Sequence, residues 1–302
     1  MTFEGILPVW KPAGMTSHDV VAKARRILGM KRIGHTGTLD PAVTGVLPLC
    51  LGRATRMVEY IQDLPKQYEA EIMLGVSTDT EDRSGNIVEE LPEVHVTKEQ
   101  IIDVLQSFKG DIDQTPPMYS AVKVDGKRLY ELARSGIEVE RKSRRVTIYS
   151  LDILSMELDS AHPTFRFRVE CSKGTYIRTL CVDIGKKLGV PAVMNELVRT
   201  GTGNITPERC LQLEQIEQLV RSGELAERLI PADQAVGHLP SYQLSEQLVQ
   251  GALSGKALPV QGLSPEARPS DRPARLYAGQ RFVGLYEINL DTKQAVPVKI
   301  FS

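Results

Sequence analysis

Residues Gly34–Gly45 read G-H-T-G-T-L-D-P-A-V-T-G, a polar, turn-rich stretch with a single acid, Asp40. A carboxylate can serve as a nucleophile, a general base or a metal ligand. Two of these uses need company. Glycoside hydrolysis takes a pair of carboxylates, and a calcium site takes a cluster of oxygen ligands. No second acid stands near Asp40 in the chain, so the stretch points to chemistry that one carboxylate carries alone. Pro41 constrains how that carboxylate is presented. The residue before a proline is pushed out of the helical region, and proline has no N–H to donate, so Asp40 is expected in extended backbone at a loop edge.

Other reactive residue types exclude more than they suggest. Cys50, Cys171, Cys181 and Cys210 are widely spaced and form no C-x-x-C pair, which argues against a zinc site and a redox motif; reduced, mostly buried thiols are expected. The acidic loop D-T-E-D-R-S-G at Asp79–Gly85 invites a calcium reading, but Arg83 stands where that pattern wants a ligand and Ser84 where it wants glycine. A plain turn is expected there, and no metal. Between Lys123 and Arg145 the residues Lys123, Lys127, Arg128, Arg134, Arg141, Lys142, Arg144 and Arg145 outnumber Asp125, Glu131, Glu138 and Glu140. In a chain of net charge −1 that local excess marks either a solvated face or a surface for a polyanion.

The elements that must position these groups are legible from periodicity. Ser17 is placed to cap a helix through Leu28, with Val20, Val21, Ala24, Ile27 and Leu28 inward and Gly29 as its stop. After the Asp40 loop the apolar run Val46–Leu51 reads as a strand, at an edge or irregular because Pro48 interrupts it. Q-Y-E-A-E-I-M-L alternates, putting Tyr68, Ala70, Ile72 and Leu74 on one face of a strand. Thr97 and Gln100 form a capping box for a helix carrying Ile101, Leu105 and Phe108. P-T-F-R-F-R-V-E-C alternates again, and Ser172-Lys173-Gly174 turns the chain into a helix with Ile177, Leu180, Cys181 and Ile184 inward. A further helix is expected around Leu211–Leu229, then a boundary at Pro231, Gly237 and Pro240. The last ~60 residues, with R-F-V-G-L-Y-E-I and A-V-P-V-K-I, read as a small β-rich module, and G-L-S-P-E-A-R-P-S-D-R-P within them as a flexible insertion.

The chain has 302 residues, 41% hydrophobic and 25% charged, enough for a full core and two domains. No apolar run approaches the ~20 residues of a membrane span, and M-T-F-E-G lacks a signal-peptide pattern; a cytoplasmic location is expected.

The stretch G-H-T-G-T-L-D-P-x-x-T-G, with L-P-L-C-L-G-R-A-T-R at 47–56, closely resembles the motif around the catalytic aspartate of the TruB family of tRNA pseudouridine synthases. Five further segments resemble that family in the same order: W-K-P-A-G-M-T-S at 10–17, Y-E-A at 68–70, Q-T-P-P-M-Y-S-A-V-K at 114–123, G-K-R-L-Y-E-L-A-R-S-G at 126–136 and S-K-G-T-Y-I-R-T-L at 172–180. The resemblance covers about residues 5–235. It implies an α+β fold: a pseudouridine-synthase catalytic domain over 1–235, with a central mixed or antiparallel sheet flanked by helices and an RNA-clamping thumb at about 120–147. A small PUA-like RNA-binding domain at 240–302 would follow.

The activity implied is isomerisation of a uridine in the tRNA T-loop, position 55 in tRNA numbering, to pseudouridine. Nothing is oxidised and no group leaves the RNA, so no cofactor is needed. The resemblance makes Asp40 the nucleophile or base, Arg178 its pairing cation and Tyr68 the aromatic under the flipped uracil. His35 would fill the place the base leaves. Lys11, Tyr176, Leu197, Lys123, Arg128 and Arg141 would bind substrate, and Arg199 and Thr200 would line the pocket floor with Leu197. From the residues alone, Tyr68 also reads as a core tyrosine, Arg178 as a helix-surface arginine and Lys11 as a surface lysine. The expected partner is the T-stem-loop of tRNA, with the protein a monomer needing no protein partner. Two alternatives are the catalytic subunit of a guide-RNA-dependent synthase and a non-catalytic chaperone that remodels tRNA.

Overall fold

A computed structural model of the chain describes residues 2–301. The first half contains β1 (Gly5–Lys11), α1 (Ser17–Leu28), β2 (Ile33–His35), β3 (Thr44–Leu51), α2 (Val58–Gln62), β4 (Lys66–Leu74), the hairpin β5 (Val76–Thr78) and β6 (Ile87–Glu90), α3 (Lys98–Gln106) and β7 (Gly110–Gln114). A small hairpin, β8 (Lys123–Val124) and β9 (Lys127–Arg128), leads into α4 (Leu129–Arg134), and then come β10 (Arg144–Glu157), β11 (Thr164–Cys171), α5 (Ile177–Leu188), β12 (Ala192–Thr202), α6 (Leu213–Ser222) and α7 (Ala232–Ala235). The main sheet runs β1-β3-β12-β4-β11-β10-β7, with β2 paired to β3. All its pairings are antiparallel except β12 on β3, so the sheet is mixed.

One face of this sheet is dry. Ala70, Ile72 and Leu74 of β4 and Phe165, Phe167 and Val169 of β11 pack against Ile101 and Leu105 of α3 and Ile177, Leu180, Cys181 and Ile184 of α5. The other face of β4 and β11 carries cross-strand ion pairs, Glu69 with Arg168 and Glu71 with Arg166, the alternation expected of a strand buried on one side. A second cluster lies between α1, α6 and the β1–β3 pair, formed by Val20, Val21, Leu7, Leu47 and Ile216.

Three local expectations are corrected. Thr16, not Ser17, caps α1: its hydroxyl accepts from the Asp19 amide, and the Asp19 carboxylate accepts from the Thr16 amide. β3 is neither an edge nor irregular. Pro48 lies opposite Pro8 of β1, and the carbonyls of both turn outward, Pro8 to the Leu211 amide at 3.0 Å and Pro48 to the Thr36 amide at 3.2 Å. Both ring nitrogens therefore also point away from the β1–β3 ladder, and no bond of that ladder is lost. The helix expected over Leu211–Leu229 stops at Gly223, whose left-handed φ of 81° ends α6, and a short 3₁₀ turn follows at Leu225–Arg228.

The C-terminal segment builds a second sheet from β13 (Ser241–Leu244), β14 (Leu258–Pro259), β15 (Leu263–Ser264), β16 (Ala274–Ala278), β17 (Arg281–Asn289) and β18 (Gln294–Ile300), in the order β14-β18-β17-β16-β13-β15, with α8 (Glu246–Leu253) against it. It is a small β-rich, PUA-like module. It docks on the larger sheet through an apolar cluster in which Leu285 and Phe301 meet Ile6, Val46, Met57 and Leu239. Arg53 donates to the Phe301 carbonyl at 2.9 Å, and Lys299 pairs with Glu59 at 2.8 Å.

Candidate active site

The loop from Thr36 to Val43 is pinned along its length by amides, carbonyls and a hydroxyl. Thr36 bonds to Pro48 through both its amide and its hydroxyl. The Leu39 amide donates to the Ser17 hydroxyl at 2.9 Å, and the Asp40 carbonyl accepts from the Val43 amide at 3.1 Å, closing a turn. The Pro41 carbonyl accepts from the Gly14 amide at 2.9 Å and from the Lys11 ammonium at 3.1 Å. Gly45, where the loop joins β3, has φ 121°, and a Cβ there would meet the Arg199 carbonyl at 2.2 Å; only glycine allows β12 to pass so close. The Asp40 side chain is left free and points into a cavity of about 600 Å³.

Arg178, in the first turn of α5, reaches that carboxylate. Its Nε lies 3.1 Å from Asp40 Oδ2, while its other nitrogens donate to the carbonyls of Thr80 at 3.0 Å and Tyr119 at 2.8 Å. Asp82 Oδ2 stands 4.0 Å from Nη1. Arg178 is 6% exposed as a whole residue, and its charge is fixed from four sides, which is the use the planar fork of arginine serves best. The start of α5 is itself held by Gln114, whose amide group bonds to both the nitrogen and the carbonyl of Tyr176.

Tyr68 of β4 packs against the core cluster, as its reading as a core tyrosine expects, and also lines the cavity. Its strand neighbours are Val169 on β11 and Arg199 on β12. Arg199 is 1% exposed and donates to the carbonyls of Val46 at 2.6 Å and Gly37 at 3.4 Å. Lys66, also buried, donates to the carbonyls of Gln62 and Leu64, the latter at 2.7 Å.

Burial raises the Asp40 pKa above the ordinary carboxylate range; Arg178 pulls it back, Asp82 pushes it up, and Lys11 opposes the rise. The Lys66 and Lys11 ammonium groups are pushed down to about 8, each chiefly by burial, with Arg199 adding repulsion. Burial likewise raises the Tyr68 hydroxyl, with Arg199 opposing, so it stays protonated near neutral pH. The arrangement can hold one carboxylate beside an aromatic ring in a cation-rich pocket. Among the described residues no cluster of three metal-ligating side chains occurs.

The structure brings together Asp40, Tyr68, Tyr176, Arg178 and Leu197, all lining the cavity. Lys11 lies beneath it: fully buried, with its ammonium taken by the carbonyls of Pro12, Met15 and Pro41, it has no donor to offer a substrate and holds the loop. His35 sits beside the cavity, its ring edge-on to His18 with centroids 5.3 Å apart; burial first, and then the charges of His18 and Arg199, lower its pKa, and the Gly37 amide donates to its Nδ1 at 3.3 Å. Lys123, Arg128 and Arg141 are not at the Asp40 cavity. Lys123 and Arg141 line a separate space of about 240 Å³, and Arg128 is exposed with its guanidinium on Tyr130 at 2.9 Å. Asp82 and Gln114 escaped sequence reasoning as site residues. The acidity of Asp79–Gly85 was the signal for Asp82, and the structure turns that loop toward the guanidinium of Arg178.

Comparisons with known proteins accord with this geometry. The model of the TruB family pseudouridylate synthase N-terminal domain matches residues 25–177, and that of the tRNA pseudouridylate synthase B C-terminal domain matches residues 178–237. The tRNA pseudouridine synthase B of Bacillus licheniformis is 48% identical over 286 residues, covering 94% of this chain and 93% of the relative. That of Geobacillus thermodenitrificans is 46% identical over 303 residues, covering 99% of each. Among solved structures, a Cbf5-Nop10-Gar1 complex aligns with TM-score 0.75 and 29% identity, over 99% of this chain and 84% of the other. An H/ACA ribonucleoprotein bound to a substrate RNA containing 2'-deoxyuridine aligns with TM-score 0.74 and 27% identity, over 99% and 84%.

Proposed function

Because the chain belongs to the TruB family of pseudouridylate synthases, we propose that it isomerises a uridine of tRNA to pseudouridine, the T-loop uridine at position 55. The observation that carries this reading is the Asp40–Arg178 pair at 3.1 Å on the wall of a cavity that Tyr68 also lines. A uridine stacked in a folded loop cannot present its sugar and ring edge to a carboxylate, so it must leave the stack. Unstacking costs a few kcal/mol, which an aromatic platform offsets in part. Tyr68 supplies that platform. Asp40 then acts on the ribose or the uracil ring, ionised and aimed by Arg178, while Asp82 and the Thr80 and Tyr119 carbonyls keep the guanidinium from turning away.

Of the alternatives, the guide-RNA-dependent subunit is disfavoured by similarity: the tRNA pseudouridine synthase B relatives are 46–48% identical, against 27% for the chain of the H/ACA ribonucleoprotein and 29% for that of the Cbf5-Nop10-Gar1 complex. A purified chain, given an unmodified tRNA transcript with no metal or nucleotide, should form pseudouridine. Asp40→Asn should bind the transcript and form none. Pseudouridine formation by Asp40→Asn at a substantial fraction of the native rate refutes the assignment.

A further inference from the structure

Two buried cations of the cavity have no acid to answer them. Arg178 is matched by Asp40 and Asp82, and Lys173 by Asp63 at 2.5 Å. Lys66 and Arg199 are 6% and 1% exposed, and among the described residues neither forms an ion pair; each is held by two backbone carbonyls. Carbonyl dipoles return only part of the several kcal/mol an ion loses on leaving water. A site that keeps two such charges beside one another is poised for an anion that arrives with the substrate.

The cavity sorts its cations by depth. Arg144, Arg145 and Lys173 are exposed, where a solvated sugar–phosphate chain can pass. Lys66 and Arg199 lie within, beside the aromatic ring: Lys66 is two residues before Tyr68 on the same face of β4, and Arg199 is the cross-strand partner of Tyr68. A base stacked on Tyr68 is the part of the substrate that reaches them.

We propose that Lys66, backed by Arg199, is a catalytic group that donates a hydrogen bond to a carbonyl oxygen of the uracil ring as that ring becomes an anion. The proposal rests on the uridine-isomerising reading above. Breaking the bond between ring nitrogen and ribose leaves its electron pair on uracil, delocalised onto the carbonyl oxygens; addition of Asp40 to a ring carbon places negative charge on a carbonyl oxygen as well. By either route the ring passes through an anion. Its electron pair then forms the carbon–carbon bond to ribose, that carbon gives up its proton, the freed nitrogen takes one, and the product is an isomer. A donor fixed at the oxygen binds the anion more strongly than the neutral base, which is the differential interaction that lowers a barrier.

The test compares native enzyme, Lys66→Met and Lys66→Arg in single turnovers on an unmodified tRNA transcript and on one carrying 5-fluorouridine at the target. Native enzyme that makes no pseudouridine overturns the functional reading rather than this proposal. Lys66→Met should bind the transcript within about twofold and react roughly 10²-fold more slowly, the usual cost of one such donor, and Lys66→Arg should recover most of the rate. Fluorine withdraws electrons and already steadies the ring anion. The ratio of native to Lys66→Met rates, followed as loss of the N-linked nucleoside, should therefore shrink several-fold on the fluorinated RNA. Equal ratios on both RNAs overturn the proposal and make Lys66 a brace for the turn after α2. Weaker binding with a shallower salt slope and an undiminished bound-state rate also overturns it, in favour of a phosphate contact.

A second measurement dispenses with Lys66→Met should it fail to fold. The groups that face Lys66 are Arg199 from β12, Asp63 after α2, and Cys171 and Lys173 from the end of β11 and its turn; with burial they place its ammonium near 8. The ratio of native to Lys66→Arg rates should fall as pH rises past that value, since arginine keeps its proton. Lys11, which titrates in the same range, is common to both and cancels. A ratio constant with pH overturns the proposal.

Discussion

Arg178→Met is the most informative single change, because methionine fills the buried stem and removes only the guanidinium. Two carbonyls, Thr80 and Tyr119, lose their donors, and Asp40 and Asp82 lose their shared cation. Breaking a buried ion pair from one side costs about 3–5 kcal/mol. Here the Asp40 side chain is 41% exposed and water can reach it, so a stability loss of about 2–3 kcal/mol is expected in urea unfolding. The sharper readout is the pH dependence of catalysis. Burial holds the Asp40 pKa above its ordinary value, and Arg178 is the largest influence pulling it down. An adjacent opposite charge lowers a carboxylate pKa by about 1–3 units, so its removal lets the pKa climb by a similar amount. Asp40 must be ionised to react, and its ionised fraction falls as pH drops through that pKa. The acid limb of the single-turnover rate should thus move about one pH unit or more toward neutrality in the variant. Lys, which retains the charge but not the fork, should leave the limb near its native place while lowering the plateau. If native and Arg178→Met acid limbs coincide, Arg178 does not govern the charge on Asp40, and the electrostatic account fails.

Tyr68→Phe keeps the platform and should bind tRNA as the native chain does, whereas Tyr68→Leu gives up a stacking contact worth roughly 1–3 kcal/mol; single-turnover rates should rank native, Phe, Leu, and a Leu variant as active as Phe would remove the platform role. Lys123→Ala and Arg128→Ala, away from the Asp40 cavity, should weaken tRNA binding without changing the rate of the bound complex, each making the salt slope shallower by about 0.7–0.9 if it meets a phosphate; filter binding across a salt series checks both. A chain ending at Ala235 should be insoluble or partly unfolded in circular dichroism, because the cluster around Ile6, Val46 and Met57 loses Val236, Leu239, Leu285 and Phe301; a folded, monodisperse truncation would refute that.

What the sequence displayed and what it concealed follow from how far each interaction reaches. The alternation around Tyr68 is a local property, and β4 lies where the period placed it. The Thr97 capping box and the Gly29 stop are also local, and both are present. Pro48 misled because its compatibility with an inner strand depends on Pro8 opposite, forty residues away and invisible to any window. The same holds in the site. Asp40 drew attention through its neighbours, but the partner that makes Asp82 useful is Arg178, and only the packing of α5 on the sheet brings the two together. Lys11 read as a surface lysine because lysines usually are; three backbone carbonyls converging on one ammonium leave no trace in composition.

The place of β12 has a consequence for how the protein is made. Asp40 belongs to the half of the sheet built on β1 and β3, Tyr68 and Arg178 to the half built on β4 and β11, and the strand between them is β12. During synthesis on the ribosome both halves emerge before the residues that join them, and pairings so distant in sequence form slowly. A nascent chain stopped before Ala192 would hold the carboxylate and its arginine with nothing to set the distance between them. Activity thus arrives in one late step, and a mutation that delays the docking of β12 would prolong the exposure of two open strand edges, trading a catalytic defect for an aggregation hazard.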